Sequence, residues 1–254
     1  MHNRLLIIAV MLALLIPFWQ SSVGSQVQQR LFGSRANIVE VRERVLPKLI
    51  KALKARNLEL GDRIFIRVFK QERLLEVWLQ SADAYELFKT YDICNYSGGL
   101  GPKLKEGDRQ SPEGFYSVSK RAMNPNSRYH LSFNLGFPNT YDQAHGRTGS
   151  FLMIHGSCVS IGCYAMTNPS IEEVYLMIEA AHDNGETETP VHIFPFRMTA
   201  DRLSEERNHE WFVFWQNLKS GYDVFERDFT PPRVTVSGRS YVFEAALNEP
   251  SASH

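Results

Sequence analysis

The stretch Phe151-Leu-Met-Ile-His155-Gly156-Ser-Cys158-Val-Ser160-Ile-Gly162-Cys163 joins an apolar run to a loop of small residues that ends on a cysteine. The run from Phe151 to Ile154 has no polar break and lies between two glycines, which predicts a strand buried on both faces. Seven residues separate His155 from Cys163, and four of them are glycine or serine. A compact loop can therefore bring the thiol back within hydrogen-bond reach of the imidazole.

A cysteine beside a histidine provides nucleophilic chemistry. A free thiol, with a pKa of about 8.5, is only a few per cent thiolate at neutral pH. A neighbouring imidazolium stabilises the thiolate and can later protonate a departing amine. The sequence therefore predicts Cys163 as the nucleophile and His155 as its base and acid. The backbone near Gly162 and Cys163 is the predicted oxyanion site, and Ser160 is predicted to orient the loop.

The pattern His155-Gly156 followed by Ser160-Ile-Gly162-Cys163 resembles a compressed form of the L,D-transpeptidase (YkuD-type) signature. The sequence from His155 to Thr167 is more similar still to the YafK-like branch of that family. The resemblance covers roughly residues 60 to 200, and its other parts are Gly98-Gly-Leu-Gly-Pro-Lys103, Glu106-Gly-Asp108 and Ser111-Pro-Glu-Gly-Phe-Tyr116. Two positions depart from it: Ile161 stands where most of the family has His, and Ala165 where most has Arg.

The resemblance implies a β-sandwich-like domain that acts on peptidoglycan stem peptides and holds the third stem residue as a thioester, for transfer into wall or wall-protein cross-links. The alternative is a hydrolase that cleaves the link between peptidoglycan and an anchored lipoprotein. An acceptor amine wins over water only when it is held at high effective concentration, and Ile161 and Ala165 remove two polar anchors. Arg147 is a candidate to bind a substrate carboxylate, and Tyr164 is a second substrate-binding candidate. We expect no nucleotide, flavin or metal cofactor.

Composition bounds the possible partners. The chain has 254 residues, 43% of them hydrophobic, so it can bury a substantial core. Its 28 basic residues balance 28 acidic ones, which argues against a nucleic-acid partner. Residues 1–24 combine a basic start, an apolar run and small residues, which predicts an export signal or, alternatively, an uncleaved membrane anchor. The remainder is therefore expected outside the cytoplasm, in the periplasm.

The fold class that we predict is β-rich α+β. Residues 25–59 are predicted to form a tether and an N-terminal helix that Pro47 kinks or divides. Residues 60–198 are assigned to the catalytic domain, with a hairpin of 64–69 and 74–79. A helix after Asn168 as N-cap follows the cysteine. Residues 199–254 are predicted as a C-terminal helical extension with a short hairpin about Gly238.

Three other interpretations compete with a cysteine acyltransferase. Ser117-Val-Ser-Lys120, Ser132-Phe-Asn134 and Arg147-Thr-Gly149 mimic the motifs of penicillin-binding enzymes, but they lie too close together for that fold. A zinc module would use Cys94, His155, Cys158 and Cys163, yet no tight Cys-x-x-Cys pair is present. In a non-catalytic binding domain the cysteines would be structural. Three is an odd number, and Cys94 with Cys158 is the favoured pair, although sequence does not fix the connectivity.

Overall fold

The computed structural model describes residues 35–82 and 84–244. The predicted signal or anchor, residues 1–24, lies outside these residues. Within the described ranges, we find no helix with both the length and the apolar character needed to span a membrane.

Nine of the described strands form one mixed sheet. They are β1 Ile64–Phe69, β2 Leu74–Ser81, β3 Ala84–Asn95, β4 Gly114–Ser119, β5 Met123–Asn124, β6 Ser132–Asn134, β7 Met153–His155, β8 Tyr164–Met166 and β9 Glu188–Phe194. Its order is β4-β9-β1-β2-β3-β8-β7-β6-β5, and only the pairs β1–β9 and β7–β8 are parallel. The predicted hairpin is the antiparallel pair β1–β2. The large, mainly antiparallel sheet with flanking helices confirms the predicted α+β class.

Two helices cover one side of the sheet. Helix α1 (Ile38–Lys54) buries an apolar stripe and pairs its Arg42 with Glu179 of a later helix, Asn168–Asp183. The predicted division of α1 at Pro47 is wrong, because the helix continues through it. Pro47 lies on the exposed side of α1, where water can satisfy the carbonyl that loses its partner.

The C-terminal segment packs a second aromatic core against the sheet. It contains two helices, and a separate hairpin is formed by β10 (Arg233–Ser237) and β11 (Ser240–Glu244) around Gly238. This confirms the predicted C-terminal helical segment and hairpin. In chain order after α1, the helices are α2 Thr140–Ala144, α3 Asn168–Asp183, α4 Ala200–Glu205 and α5 Phe212–Asp228, and a single 3-10 turn covers Lys120–Ala122.

Two local predictions near the cysteine need correction. Strand β7 starts at Met153, and Phe151 is not buried: it has a φ of 54° and is 74% exposed. The N-cap of α3 is Thr167, whose hydroxyl accepts a hydrogen bond from the Ser170 amide. Asn168 cannot cap the helix because its side-chain oxygen accepts a hydrogen bond from the Ser157 amide instead. Asn168 therefore holds the loop that leads to the cysteine.

Candidate active site

The parallel pairing of β7 with β8 brings the predicted nucleophile and base to one face of the sheet. His155 lies opposite Ala165, and Ile154 opposite Tyr164. Because side chains alternate along a strand, Cys163 faces the same way as Ala165 and hence the same way as His155. Cys163 immediately precedes β8, so on this register its side chain lies on the same face of the sheet as the imidazole. That the two act as nucleophile and base stays a prediction.

The connection between these parallel strands is unusually short. It spans residues 156–163, whereas parallel strands are ordinarily joined by a dozen or more residues. Positive φ angles at Ser157, Cys158 and Gly162 turn the chain back sharply. Gly162 has a φ of 129°, a region that side chains disfavour, so glycine is needed immediately before the cysteine.

The protonation of His155 follows from its surroundings. Its Nδ1 lies 2.6 Å from the Gly156 carbonyl oxygen, which can only accept, so Nδ1 carries the proton. Nε2 is left as the basic nitrogen. The ring is 2% exposed and stacks on Tyr129 with centroids 4.6 Å apart. Burial lowers the pKa of His155, and the Gly156 carbonyl opposes this only partly. At neutral pH the imidazole is therefore a neutral base.

The Cys163 thiol is half-buried and is not part of a disulfide. Its Sγ donates weakly to the Phe151 carbonyl oxygen at 3.7 Å. Burial raises the pKa of the thiol, while the Met153 amide and the charge of Lys103 oppose the rise. In the resting site the thiol is therefore protonated and needs a base. Lys103, a nearly buried cation that also pairs with Asp108, was missed by the sequence argument as a member of this site.

Serine side chains fix the backbone of Cys163. The Ser160 hydroxyl donates to the Cys163 carbonyl oxygen at 2.7 Å, which is the type of contact that an orienting role requires. The Ser111 hydroxyl donates to the same oxygen at 3.1 Å, and Ser97 lies 2.9 Å from Ser160. Ser97 and Ser111 were not predicted as members of the site, although Ser111 belongs to one of the motifs that carry the resemblance.

The predicted oxyanion role of Gly162 does not fit its contacts. Its amide already donates to the Ser97 hydroxyl at 3.0 Å and approaches the Ser160 hydroxyl at 3.2 Å. An amide that is engaged in this way is not available to a developing oxyanion. The contribution of Gly162 is therefore conformational, and the amide of Cys163 remains the candidate donor.

Both predicted substrate-binding residues lie elsewhere. Arg147 is 7% exposed; its Nη1 donates to the Asp142 carboxylate at 2.7 Å, and its guanidinium packs over Tyr141. A buried and paired guanidinium is not placed to bind a substrate carboxylate. Tyr164 follows Cys163 as the first residue of β8, so its side chain faces the opposite side of the sheet. There it is fully buried and donates its hydroxyl to the Pro112 carbonyl oxygen at 2.8 Å. Both assignments are wrong.

The cysteine pairing agrees with the expectation. Cys94 of β3 and Cys158 form a disulfide that ties the loop of residues 156–163 to strand β3. Two sulfurs of the hypothetical zinc set are thus bonded to each other and cannot serve as thiolate ligands. That set is incompatible with this arrangement.

A buried ion pair supports the segment that carries Ser111. Lys70 and Glu113 are both fully buried, with Nζ and Oε1 3.1 Å apart. Lys70 also donates to the Ser111 carbonyl oxygen, and the Trp215 indole donates to Glu113. Burial lowers the pKa of Lys70, and the Glu113 carboxylate opposes this. Through Trp215, helix α5 is in this way connected to the ion pair that supports Ser111, whose hydroxyl contacts the Cys163 carbonyl oxygen.

The two departures from the family pattern occupy different positions. Ile161, in the loop of residues 156–163, is 80% exposed. Ala165 is fully buried and lies directly opposite His155 on the same face. One departure therefore leaves an apolar rim, and the other places a methyl group beside the base.

Comparison with known proteins identifies the family. The model of the L,D-transpeptidase catalytic domain (YkuD) matches residues 63–193. The chain is 47% identical over 189 residues to the putative L,D-transpeptidase YafK of Escherichia coli K12, an alignment that covers 74% of this chain and 77% of that protein.

Solved structures with a similar chain path include the helical cell shape determining protein Pgp2 of Campylobacter jejuni, as its K307A mutant. That match has a TM-score of 0.44 and 18% identity, and covers 70% of this chain and 72% of the other. Bd1075 of Bdellovibrio bacteriovorus matches with a TM-score of 0.37 and 18% identity over 70% and 78% of the two chains. On the domain match and the 47% identity, the chain belongs to the L,D-transpeptidase catalytic domain (YkuD) family.

Proposed function

We propose that this protein carries out cysteine-dependent acyl transfer on peptidoglycan stem peptides in the periplasm. The observation that carries the proposal is the placement of a neutral imidazole, with Nε2 free of the proton, on the same face as the one thiol outside the disulfide. Family membership supplies the substrate class. No cofactor enters the reaction as we propose it.

The first half-reaction forms a thioester. Nε2 of His155 takes the thiol proton as the Cys163 sulfur attacks the carbonyl of the third stem residue. The tetrahedral oxyanion accepts a hydrogen bond from the Cys163 amide. When the carbon–nitrogen bond breaks, the imidazolium of His155 gives its proton to the departing amine. A neutral base suits this step because burial keeps the thiol protonated until substrate arrives.

In the second half-reaction an acceptor attacks the thioester, and His155 takes a proton from it. In a transpeptidase the acceptor is an amine of another stem peptide or of a wall-linked protein. Cys163 leaves as the thiolate and regains its proton from His155. The same residues thus serve both halves, and what differs between transfer and hydrolysis is which nucleophile is held against the acyl carbon.

The second candidate is hydrolysis, for example of the link between peptidoglycan and an anchored lipoprotein. Its specific support is the character of Ile161 and Ala165: one is an exposed apolar side chain and the other a methyl group opposite the base. Neither can hold an amine by charge or hydrogen bonds. A weakly held acceptor competes poorly with water for the thioester.

Mass analysis of products tests the chemistry. Purified protein is incubated with stem tetrapeptides, with and without a large excess of acceptor amine, and intact protein is weighed to detect the acyl adduct. We expect an adduct on Cys163, and its loss together with all turnover in Cys163→Ala, whose folding is unchanged by circular dichroism. Turnover retained by Cys163→Ala would exclude the proposal.

The acceptor question has its own variant. Ile161→His restores the residue most of the family carries, at a position exposed enough to accept it without strain. If Ile161 weakens acceptor capture, this variant raises the ratio of transferred to hydrolysed product at fixed amine concentration. A ratio unchanged from wild type would show that the position has no part in acceptor choice. Only hydrolysed stem at every amine concentration would establish the second candidate.

A further inference from the structure

A groove of about 740 Å³ opens beside the catalytic cysteine. Its near end is formed by Phe151 and Met153. The Phe151 carbonyl oxygen accepts a hydrogen bond from the Cys163 thiol, and the Met153 amide donates one to the same sulfur. The far end lies between the outer strands β4 and β5. Between the two ends the lining includes Arg121, Asn124, Asn134 and Glu188.

Strand register places this groove on the catalytic face. Asn134 lies opposite Met153, and Ser132 lies opposite His155, so all four point to one side. Asn124 lies opposite Ser132 and shares that side. Two polar side chains of the groove, those of Asn124 and Asn134, therefore share the face of His155.

The charges of the groove are available to a ligand. Arg121 is exposed, and within the described part of the chain no carboxylate approaches its guanidinium within 4.0 Å. Its neighbour Lys120, by contrast, pairs with Asp183 and does not line the groove. Glu188 is the one acidic residue of the lining. An unpaired guanidinium among hydroxyl and amide groups favours a peptide that carries a carboxylate.

The distance from Cys163 suits such a peptide. Cys163 immediately precedes β8, and Arg121 lies in the 3-10 turn immediately before β5. The order from one strand to the other is β8, β7, β6 and β5, which makes three steps of about 4.8 Å, or about 14 Å in all. An extended peptide covers about 3.3 Å per residue, so the reacting residue and the one before it together span about 7 Å. The long side chain of Arg121 covers the remaining distance.

We propose that this groove binds the acyl-donor stem peptide and that Arg121 binds the free carboxylate carried by the residue before the one that reacts. The inference rests on the proposed function for the identity of the donor. Arg121 is a specificity-determining residue in this proposal and takes no part in bond making.

The test measures binding apart from turnover, in protein that carries Cys163→Ala. Two synthetic stem tetrapeptides are compared by calorimetry: one whose second residue is a side-chain-linked glutamate with its free carboxylate, and one with that group as the amide. A charge-assisted bidentate contact corresponds to roughly a tenfold to hundredfold change in Kd. We expect Arg121→Met to weaken binding of the carboxylate peptide by that factor and to leave the amide peptide within twofold.

Two matched variants act as controls. Lys120→Met removes the adjacent but paired cation and should change neither Kd. Glu188→Gln removes the opposing charge and should tighten binding of the carboxylate peptide alone. Equal losses for both peptides in Arg121→Met, or no loss for either, would overturn the assignment of Arg121. Because Kd does not require thioester formation, failure of the proposed chemistry is seen separately, as absence of the acyl adduct in the parent protein.

Discussion

Removing the Cys94–Cys158 disulfide is expected to cost a large part of the stability of the fold. The bridge closes a segment with a sequence separation of 64. In the chain-entropy model a loop of this length restricts the unfolded chain by about 14 cal/mol/K, or about 4 kcal/mol at about 25 °C. Domains are stable by only about 5–15 kcal/mol. We therefore expect Cys94→Ser with Cys158→Ser to unfold at much lower urea concentration than the parent protein.

The double variant is the right perturbation because a single change leaves a thiol that can exchange with Cys163. Urea unfolding should be fitted with free slopes, since the chain without its cross-link exposes more surface and raises the slope. Parent protein in excess reductant provides the matched control and should fall to the stability of the variant. A loss below about 1 kcal/mol would refute the entropic argument, because the reference chain would then already be restricted without the bridge.

Three further predictions concern buried ionisable groups. Burial lowers the pKa of His155 and raises that of Cys163. The rate of thioester formation should therefore fall only below about pH 6.5, and the rate of thiol alkylation should still increase above about pH 8.5. An acid limb above pH 7 in a pH–rate profile would contradict this. Lys70→Met should lower the free energy of unfolding in urea by about 3–5 kcal/mol, since Glu113 is left buried without its cation. Adding Glu113→Gln should recover part of the loss. An additive loss in the double variant would argue against a stabilising pair. Burial raises the pKa of Glu186 to about 7, above its unfolded value of about 4.3. The protonated carboxyl therefore stabilises the fold at low pH, and this contribution is lost as the pH rises through about 7. In urea unfolding, Glu186→Gln should stabilise the protein at pH 8 by on the order of 3 kcal/mol and have no effect at pH 4.

The parts of the fold that were predictable are those that local patterns determine. The β1–β2 hairpin follows from two apolar runs around a polar turn, and both runs pair as expected. The parallel pairing of β1 with β9 was not predictable in this way, because it joins Ile66 to Val191, far apart in the sequence. The start of α3 shows a competition instead: Asn168 is a good N-cap residue, but the Ser157 amide takes its side-chain oxygen, so the cap passes to Thr167.

That His155 and Cys163 share one face was predictable, because a short loop of small residues joins the two neighbouring strands β7 and β8. Tyr164 was also within reach of sequence reasoning. Once Cys163 is assigned to the site, strand alternation turns the next residue away from it, and Tyr164 is indeed buried on the other side. Arg147 was harder, because the choice between an exposed loop charge and a buried ion pair depends on where Asp142 lies, and Asp142 is itself held by the Asn139 cap of α2.

What sequence reasoning could not supply is the scaffold around the loop, and this scaffold explains why the site can depart from the family pattern at its rim. The Cys163 backbone is held by Ser160 from within the loop and by Ser111 from a distant segment, and the disulfide anchors the other end. None of these contacts involves Ile161, which projects into solvent. A residue that makes none of these contacts can be substituted without moving the thiol. We therefore expect a substitution at Ile161 to leave the backbone geometry of Cys163 unchanged.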